Sequence, residues 1–301
     1  MNADKPKPGA GCARPLFEEH PRRFAENRYV YPVLSRRAGG ISIGVNLNRD
    51  RTCNFRCVYC QVDRESPPLP DASDPIDLAR LAEELDAMVA AVQSGRLFEG
   101  PRFGTTPPPL RRLNDIALSG DGEPTLCPQF AEAVEVCAQV RRRHGLDDVK
   151  LVLITNASLL DRPRVRRGLA VLDASNGEIW AKLDAGTEDG YRRIARSHVP
   201  FSTILGNLLE AARVRPIVIQ TLLMRLDGRP PSAAELAAYS RRLTDLIAAG
   251  GQIKLVQLHT VARRPAEPYV SPLARAELDA AAEHVRRETG LPVMVVHAEQ
   301  A

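Results

Sequence analysis

The chain has 301 residues, of which 44% are hydrophobic and 26% charged, and its formal net charge is +4. This composition supports a sizeable core and excludes wholesale disorder. No segment approaches the 18 consecutive apolar residues of a membrane span, and residues 1–15 lack the apolar stretch of a signal peptide. We therefore expect a cytoplasmic protein without membrane contact, built as one large domain or two ordinary ones.

Arginine dominates the basic residues, since 36 of the 41 are Arg and five are Lys. Arg is the bidentate donor of choice for phosphate, so the imbalance fits phosphate recognition. A coding bias explains it equally, and the absence of a dense basic block favours that interpretation.

Short β-branched runs alternate with stretches of helical periodicity from residue 41 onward. Strands are predicted at 41–46, 115–119, 150–155, 178–183, 216–224 and 252–260. Helices are predicted at about 76–94, 128–144, 159–172, 187–213 and 232–249. The regular spacing of the strands after residue 115 is typical of β/α crossovers in a parallel sheet, and apolar runs such as LVLI indicate burial on both faces.

The predicted fold class is α/β, a partial (β/α)6 barrel of parallel strands. A doubly wound open sheet is the alternative, because periodicity does not reveal closure. We divide the chain into an N-terminal arm (1–37), the barrel (38–262) and a C-terminal extension (263–301). The extension is predicted to hold a helix at about 272–289 and a last strand at 292–297.

Three of the six cysteines are clustered directly after the first predicted strand: Cys53, Cys57 and Cys60. Their spacing is C-x3-C-x2-C, and clustered thiols in a reducing compartment more often hold metal than form disulfides. A structural zinc site needs a fourth ligand, and neither the other cysteines nor a lone His stands at ligand spacing. An iron–sulfur cube held by three thiolates leaves one iron open to a chelating small molecule.

The motif C-x3-C-x-aromatic-C, with Tyr59 as its aromatic residue, resembles that of the radical S-adenosylmethionine (SAM) superfamily. The resemblance implies that the three cysteines ligate a [4Fe-4S] cluster whose open iron chelates SAM. It further implies reductive cleavage of SAM to a 5′-deoxyadenosyl radical that abstracts hydrogen from a substrate. A reductant such as flavodoxin or ferredoxin is implied as a partner, and the backbone of Tyr59 is expected near the adenine.

A glycine turn, SGDGEPT at 119–125, follows the second predicted strand. Glycines let a ligand approach the backbone closely, although short glycine turns also occur in many α/β proteins. In the superfamily a G-G-E turn at this place binds the amino group of SAM, which implies that role for Gly122 and Glu123. The sequence departs from a plain G-G-E pair, so Asp121 receives no assigned role.

Lys182 and Asp184 end the fourth strand and point to the same face of it. A lysine at an inward position is costly to bury unless it meets an anion. The resemblance implies the carboxylate of SAM as that anion and places Asp184 in the same cofactor site. An ion pair between the two residues is the alternative. Asn156, at the end of the third strand, matches a position that often contacts the ribose.

Polar residues also interrupt two later strands: Gln220, Gln257 and His259. Each either faces a ligand cavity or satisfies a neighbouring loop. His259 lies near a strand end, where barrel enzymes place their chemistry, and is the better candidate for contact with substrate or SAM. Arg263 and Arg264 follow, as a phosphate or carboxylate site or as a solvated pair.

The segments SGDGEPTL, TNAS, WAKLDAG and VQLHTVARRP resemble the branch of the superfamily that contains the wyosine-base tRNA synthetases and their uncharacterised bacterial relatives. Those synthetases hold a second cluster on three further N-terminal cysteines and engage pyruvate with a lysine between them. Here only Cys12 precedes Cys53, and no lysine occurs from 8 to 149. Cys127 and Cys137 are predicted to be packed thiols.

The sequence therefore predicts a radical SAM enzyme acting on a small molecule, a peptide or RNA. One alternative is a wyosine-type tRNA-modifying enzyme. A further alternative, from another class, is a non-catalytic zinc-binding module.

Overall fold

The computed structural model describes residues 22, 24–35, 38–64 and 71–298. Its strands are β1 (Val30–Ser35), β2 (Gly40–Val45), β3 (Leu113–Leu118), β4 (Lys150–Thr155), β5 (Gly177–Lys182), β6 (Ile217–Leu226), β7 (Ile253–Thr260), β8 (Val270–Pro272) and β9 (Val293–Val296). Its α-helices are α1 (Leu78–Gln93), α2 (Phe130–Arg143), α3 (Pro163–Asp173), α4 (Glu188–Ala195), α5 (Phe201–Val214), α6 (Ala233–Ala248) and α7 (Arg275–Thr289). Cys12 and residues 1–21 of the predicted arm lie outside the described residues.

The strands form one curled half-barrel sheet in the order β1-β2-β3-β4-β5-β6-β7-β9. Strands β2 to β7 and β9 run parallel, β1 is antiparallel to β2, and β8 pairs antiparallel with β6. The six predicted strands are confirmed as β2 to β7, and the predicted half-barrel is correct rather than the open doubly wound sheet.

Both ends of the sheet extend beyond the six predicted strands. β1 lies within the predicted arm and pairs with β2, and β9 of the predicted extension pairs with β7. β1 was missed because Pro32 interrupts its pattern, yet proline is tolerated on an edge strand. The division of the chain at 37 and 262 stays a proposal, although the sheet is continuous across both points.

The predicted helix at 187–213 is wrong as a single element, because it is two helices, α4 and α5. Arg196 ends α4 with a φ of +46°, in the left-handed region. Pro200 then begins α5 as its N-cap, and a residue that precedes proline is disfavoured in helical geometry. The break lets the chain turn beside the cysteine loop, which is described below.

The main core lies between the outer face of the sheet and the helices. Helices α1 to α3 pack against one another in turn, as do α6 and α7. A second, smaller group of apolar side chains fills the concave face: Ala117, Val152, Trp180 and Val218. None of the described helices is long and apolar enough to cross a membrane.

A buried carboxylate closes the concave face at the amino ends of the strands. Glu178 accepts hydrogen bonds from Lys150 Nζ at 2.7 Å, Lys254 Nζ at 2.6 Å and Trp180 Nε1 at 2.9 Å. We call these four residues the floor cluster. Both carboxylate oxygens of Glu178 are therefore hydrogen-bonded at this end of the sheet, and the cavity described below lies at the opposite, carboxyl ends of the strands.

Candidate functional site

A cavity of about 310 Å³ lies on the concave face, at the carboxyl ends of the parallel strands. This is where barrel enzymes place their sites, and the volume is ordinary for a ligand pocket. It collects nine of the ten predicted site residues: Cys53, Cys57, Tyr59, Cys60, Gly122, Glu123, Asn156, Lys182 and His259. Asp184, the tenth, lies beside it and lines a smaller adjoining cavity of about 20 Å³.

The cysteine loop, residues 51–60, follows β2 and packs against the end of α4. Arg56 N donates to Ala195 O at 3.0 Å and Val58 N to Ile194 O at 2.9 Å. Ser197 Oγ donates to Asn54 O at 2.9 Å. The loop is therefore fixed by the helix break, which leaves the last carbonyl groups of α4 open to accept its N–H groups.

Burial governs the chemistry of the free thiols. It raises the pKa of Cys57 to about 12, against the opposing effect of the Lys182 ammonium nearby. Burial also raises the pKa of Cys53, where a hydrogen bond from Phe55 N acts the other way. Thiolates are the metal ligands of cysteine, so a positively charged metal centre is what would stabilise these sulfurs in their ionised form.

The glycine turn packs directly on the cysteine loop. A Cβ atom on Gly122 would lie 2.0 Å from Thr52 O, so only glycine allows this approach. Glu123 N donates to the same oxygen at 3.1 Å. The turn thus contacts Thr52, the residue immediately before Cys53, so the positions of the turn and of the cysteine loop depend on each other.

The Glu123 side chain, only 3% exposed, joins this turn to the end of β4. Oε1 accepts from Thr125 Oγ1 and Thr155 Oγ1, each at 2.6 Å, and Oε2 accepts from Asn156 N at 2.7 Å. Burial raises the pKa of Glu123, and these hydrogen bonds oppose the rise. Most of the accepting capacity of the carboxylate is used to connect the turn after β3 with the end of β4. Oε2 can still accept one further hydrogen bond.

Tyr59 connects the cysteine loop to the end of β5. Its hydroxyl donates to Asp184 Oδ2 and accepts from Lys182 Nζ at 2.7 Å. Asp184 Oδ1 in turn accepts from Leu222 N at 2.8 Å, while Lys182 Nζ lies 3.9 Å from Asp184 Oδ2. The ammonium is therefore held by a phenol and only loosely by the carboxylate. Burial and the neighbouring Asp184 charge raise the pKa of Tyr59, so the phenol stays protonated.

A row of polar side chains crosses the concave face at this level. Lys182 is in register with Gln220 of β6, which is in register with Gln257 of β7. Gln220 Nε2 donates to Gln257 Oε1 at 2.8 Å. Within the described residues Gln220 Oε1 has no hydrogen-bond partner, although Gln220 is fully buried. A buried acceptor at a cavity wall is suited to a donor from a ligand.

The remaining predicted residues are placed as follows. His259 and Arg263 line the cavity, Arg264 does not, and Asn156 Nδ2 donates to Asn54 Oδ1 at 2.8 Å, close to Cys53. Cys127 and Cys137 are 5% and 0% exposed in the main core, as predicted.

Sequence reasoning missed several polar residues of the cavity wall, among them Arg22, Tyr31, Ser42 and Asp115. Ser42 Oγ donates to Asp115 Oδ1 inside the barrel. The alternation of β2 and β3 contained a signal for this pair, since each of the two residues is polar within an apolar strand.

Among protein-family sequence models, the one described as the radical SAM superfamily matches residues 47–229 of this chain. The chain belongs to this superfamily. Members use a [4Fe-4S] cluster and SAM, so these are the cofactors to which the site must correspond.

The radical SAM chain is 23% identical over 279 residues to a Brachyspira hyodysenteriae protein named GTPase Obg. This match covers 91% of this chain and 35% of that protein.

The chain is also 25% identical over 251 residues to a UPF0026 protein of Methanocaldococcus jannaschii. This match covers 80% of this chain and 65% of that protein. The chain thus spans about a third to two thirds of the length of these relatives. No Gly-Lys pair of a phosphate-binding P-loop occurs in it.

Two solved structures share the fold. A radical SAM methyltransferase from Sphaerobacter thermophilus has a TM-score of 0.59 at 16% identity, covering 89% of this chain and 69% of that one. TYW1 with a lysine–pyruvate adduct bound has a TM-score of 0.52 at 16% identity, covering 93% and 78%. At such identity the likeness concerns the fold alone.

The residues present fit the two cofactors of the superfamily. Three thiols line one cavity together with a lysine and the glycine turn. At Gly122 of that turn, no larger residue fits. Three cysteines leave the fourth position of a cube to a small molecule. Lys182 supplies a cation for a carboxylate, and Gln220 Oε1 supplies an acceptor.

Proposed function

We propose that this chain is an enzyme that cleaves SAM reductively and uses the resulting radical to abstract hydrogen from a substrate. The observation that carries the proposal is the convergence of the C-x3-C-x2-C cysteines, the Gly122 turn and Lys182 in one cavity. When bound, the cluster supplies one electron that breaks a sulfur–carbon bond of SAM, giving methionine and a 5′-deoxyadenosyl radical. Everything else falls to the side chains of the cavity.

In this proposal Cys53, Cys57 and Cys60 hold the cluster. The Gly122 backbone and the free position on Glu123 Oε2 accept the amino group of SAM, and Lys182 pairs with its carboxylate. Tyr59 gives its backbone to the adenine and its hydroxyl to Lys182. Asp184 is then a positioning residue, since it acts through Tyr59.

Asn156 and His259 complete the proposed cofactor site, as contacts to the ribose and to SAM or substrate. The concave wall shields the reaction from water and stray hydrogen donors. A one-electron reductant such as flavodoxin or ferredoxin is the proposed partner. A cytoplasmic location follows from the proposal, because a reducing compartment keeps the thiols available.

The test is anaerobic reconstitution with iron and sulfide, followed by SAM and dithionite. We expect about four irons per chain, a brown colour and the formation of 5′-deoxyadenosine. Protein with an intact cluster that yields no 5′-deoxyadenosine contradicts the proposal. One colourless zinc per chain after anaerobic purification supports the non-catalytic module instead.

An RNA substrate is the alternative to a small molecule or peptide. The Arg-rich composition and the Pro-rich loop at 100–112, which contains Arg102, Arg111 and Arg112, favour it. Arg111 of this loop donates to Thr106 O at 2.8 Å and to Gly104 O at 2.9 Å, and it lies over the Phe98 ring. Two nitrogen atoms of this exposed guanidinium are therefore hydrogen-bonded within its own loop. A titration of tRNA binding against salt decides between the classes, because binding through phosphates weakens steeply as salt rises.

A further inference from the structure

Asp121, in the middle of the glycine turn, is held from two sides. Arg22 Nη1 donates to Asp121 Oδ1 at 2.7 Å, and Asn46 Nδ2 donates to Asp121 Oδ2 at 2.6 Å. Both carboxylate oxygens are therefore engaged. The side chains of Arg22 and Asp121 are 22% and 24% exposed, so the ion pair is partly shielded from solvent.

Asn46, at the end of β2, completes the connection. Its Oδ1 accepts from Asp121 N and from Asn48 N, each at 3.1 Å. A Cβ atom on Gly120 would lie 2.3 Å from the same oxygen, so the turn and Asn46 fit each other closely. Asn46 therefore donates to the side chain of Asp121 and accepts from its backbone, and these two hydrogen bonds fix the position of the turn relative to β2.

The other end of the turn contacts the cysteine loop through Glu123 N and Thr52 O. The turn that carries Asp121 is therefore hydrogen-bonded directly to the segment that precedes Cys53. Charge-assisted hydrogen bonds to a carboxylate are the strong ones, and Arg22 and Asn46 supply both. Arg22 and Asp121 also line the cavity itself.

We propose that Asp121, clamped by Arg22 and Asn46, is a positioning residue that sets the distance between the cofactor-binding turn and the cysteine loop. The inference rests on the proposed function, because it concerns the affinity of that turn for SAM. It gives a role to the residue of the turn that departs from the G-G-E pattern. It also makes Arg22, from the N-terminal segment, a working part of the site.

The experiment measures the dissociation constant of SAM by equilibrium dialysis with the anaerobically reconstituted protein. We expect this dissociation constant to rise about tenfold in Asp121→Ala and about fivefold in Arg22→Ala. Losses of this size are typical of residues that orient the groups in direct contact with a ligand. The iron content and the electron paramagnetic resonance spectrum of the reduced cluster without SAM should match the wild type. Arg22→Lys should restore most of the affinity. The double variant should bind no more weakly than Asp121→Ala, because the two residues act as one unit.

Arg28→Ala is the matched control, since it breaks an ion pair of 3.2 Å to Asp71 in the same N-terminal segment without touching the turn. Its SAM affinity should equal that of the wild type. A dissociation constant within twofold of the wild type in both Asp121→Ala and Arg22→Ala overturns the inference while leaving the proposed function intact. A wild type that forms the cluster but does not bind SAM overturns both.

Discussion

The two ends of the half-barrel solve the burial of polar groups in opposite ways. At the amino ends of the strands, Glu178 is satisfied by Lys150, Lys254 and Trp180 of the floor cluster. At the carboxyl ends, the thiols are half-buried and Gln220 Oε1 has no partner within the described residues. A self-sufficient polar group stabilises a fold, whereas an unsatisfied one is costly unless a ligand completes it. The contrast separates the part of the barrel that supports from the part that binds.

The largest effect that this contrast predicts is at the cysteines. Cys57→Ala should lower the iron content of reconstituted protein from about four to below about one per chain, because two thiolates do not retain a cube. Iron and sulfide analysis measures it, together with the absorbance near 400 nm. Cys127→Ala is the matched control, since that buried thiol belongs to the main core and should leave the iron content unchanged. Equal iron in the two variants would contradict the assignment.

Next in size is the loss of the cavity lysine. Lys182→Met should weaken SAM binding by about 30-fold, because a partly buried carboxylate would lose its cation. Lys254→Met offers the comparison from the opposite end of the barrel, where the ammonium serves Glu178. SAM affinity should be unchanged in that variant while thermal stability falls. If both lysine variants lost SAM affinity equally, the two ends would not be functionally distinct.

A smaller effect is expected in the floor cluster. Burial acts to raise the pKa of Glu178, but the hydrogen bonds from Lys150, Lys254 and Trp180 prevail and the pKa lies below its ordinary value. Its stabilisation is therefore present above the unfolded pKa of 4.5 and is lost as the pH falls through the lower, folded value. Glu178→Gln should cost about 2 kcal/mol in free energy of unfolding at pH 7.

Denaturant titrations at several pH values measure this cost. The difference between wild type and Glu178→Gln should shrink between pH 4.5 and the lower pKa of the folded state. SAM affinity at pH 7 should not change. A difference in stability that is independent of pH would mean that the ion pairs of the floor cluster do not stabilise the fold.

The smallest effect concerns the glutamine pair. The double variant Gln220→Leu/Gln257→Leu should change the free energy of unfolding by less than about 1 kcal/mol, because both partners of one hydrogen bond are removed together. Gln220→Leu alone leaves Gln257 Oε1 without its donor and should be less stable than the double variant. Thermal denaturation of the three proteins measures the order. A double variant that is the least stable would show that the pair supports the fold rather than a ligand.

Local patterns predicted most of the fold and the elements of the site. Alternating periodicity defined β2 to β7. The resemblance of the motifs, rather than strand spacing, assigned Cys53 and Lys182 to one cofactor site, and in the structure both residues line one cavity. The break between α4 and α5 was missed because the helical period continues across Pro200. Contacts distant in sequence were inaccessible, such as Tyr59 with Asp184 and Arg22 with Asp121, since spacing along one strand does not show which loops meet.

The hydroxyl of Tyr59 reaches Asp184 across 125 residues of chain, and Asp184 in turn accepts from the backbone of β6. Contacts between such distant residues form late in folding, because closing long loops is entropically costly. A chain that has not yet completed β6 has the three cysteines and Tyr59, but it lacks the Leu222 N–H that fixes Asp184. The order of the cysteine loop therefore depends on a strand that is synthesised much later.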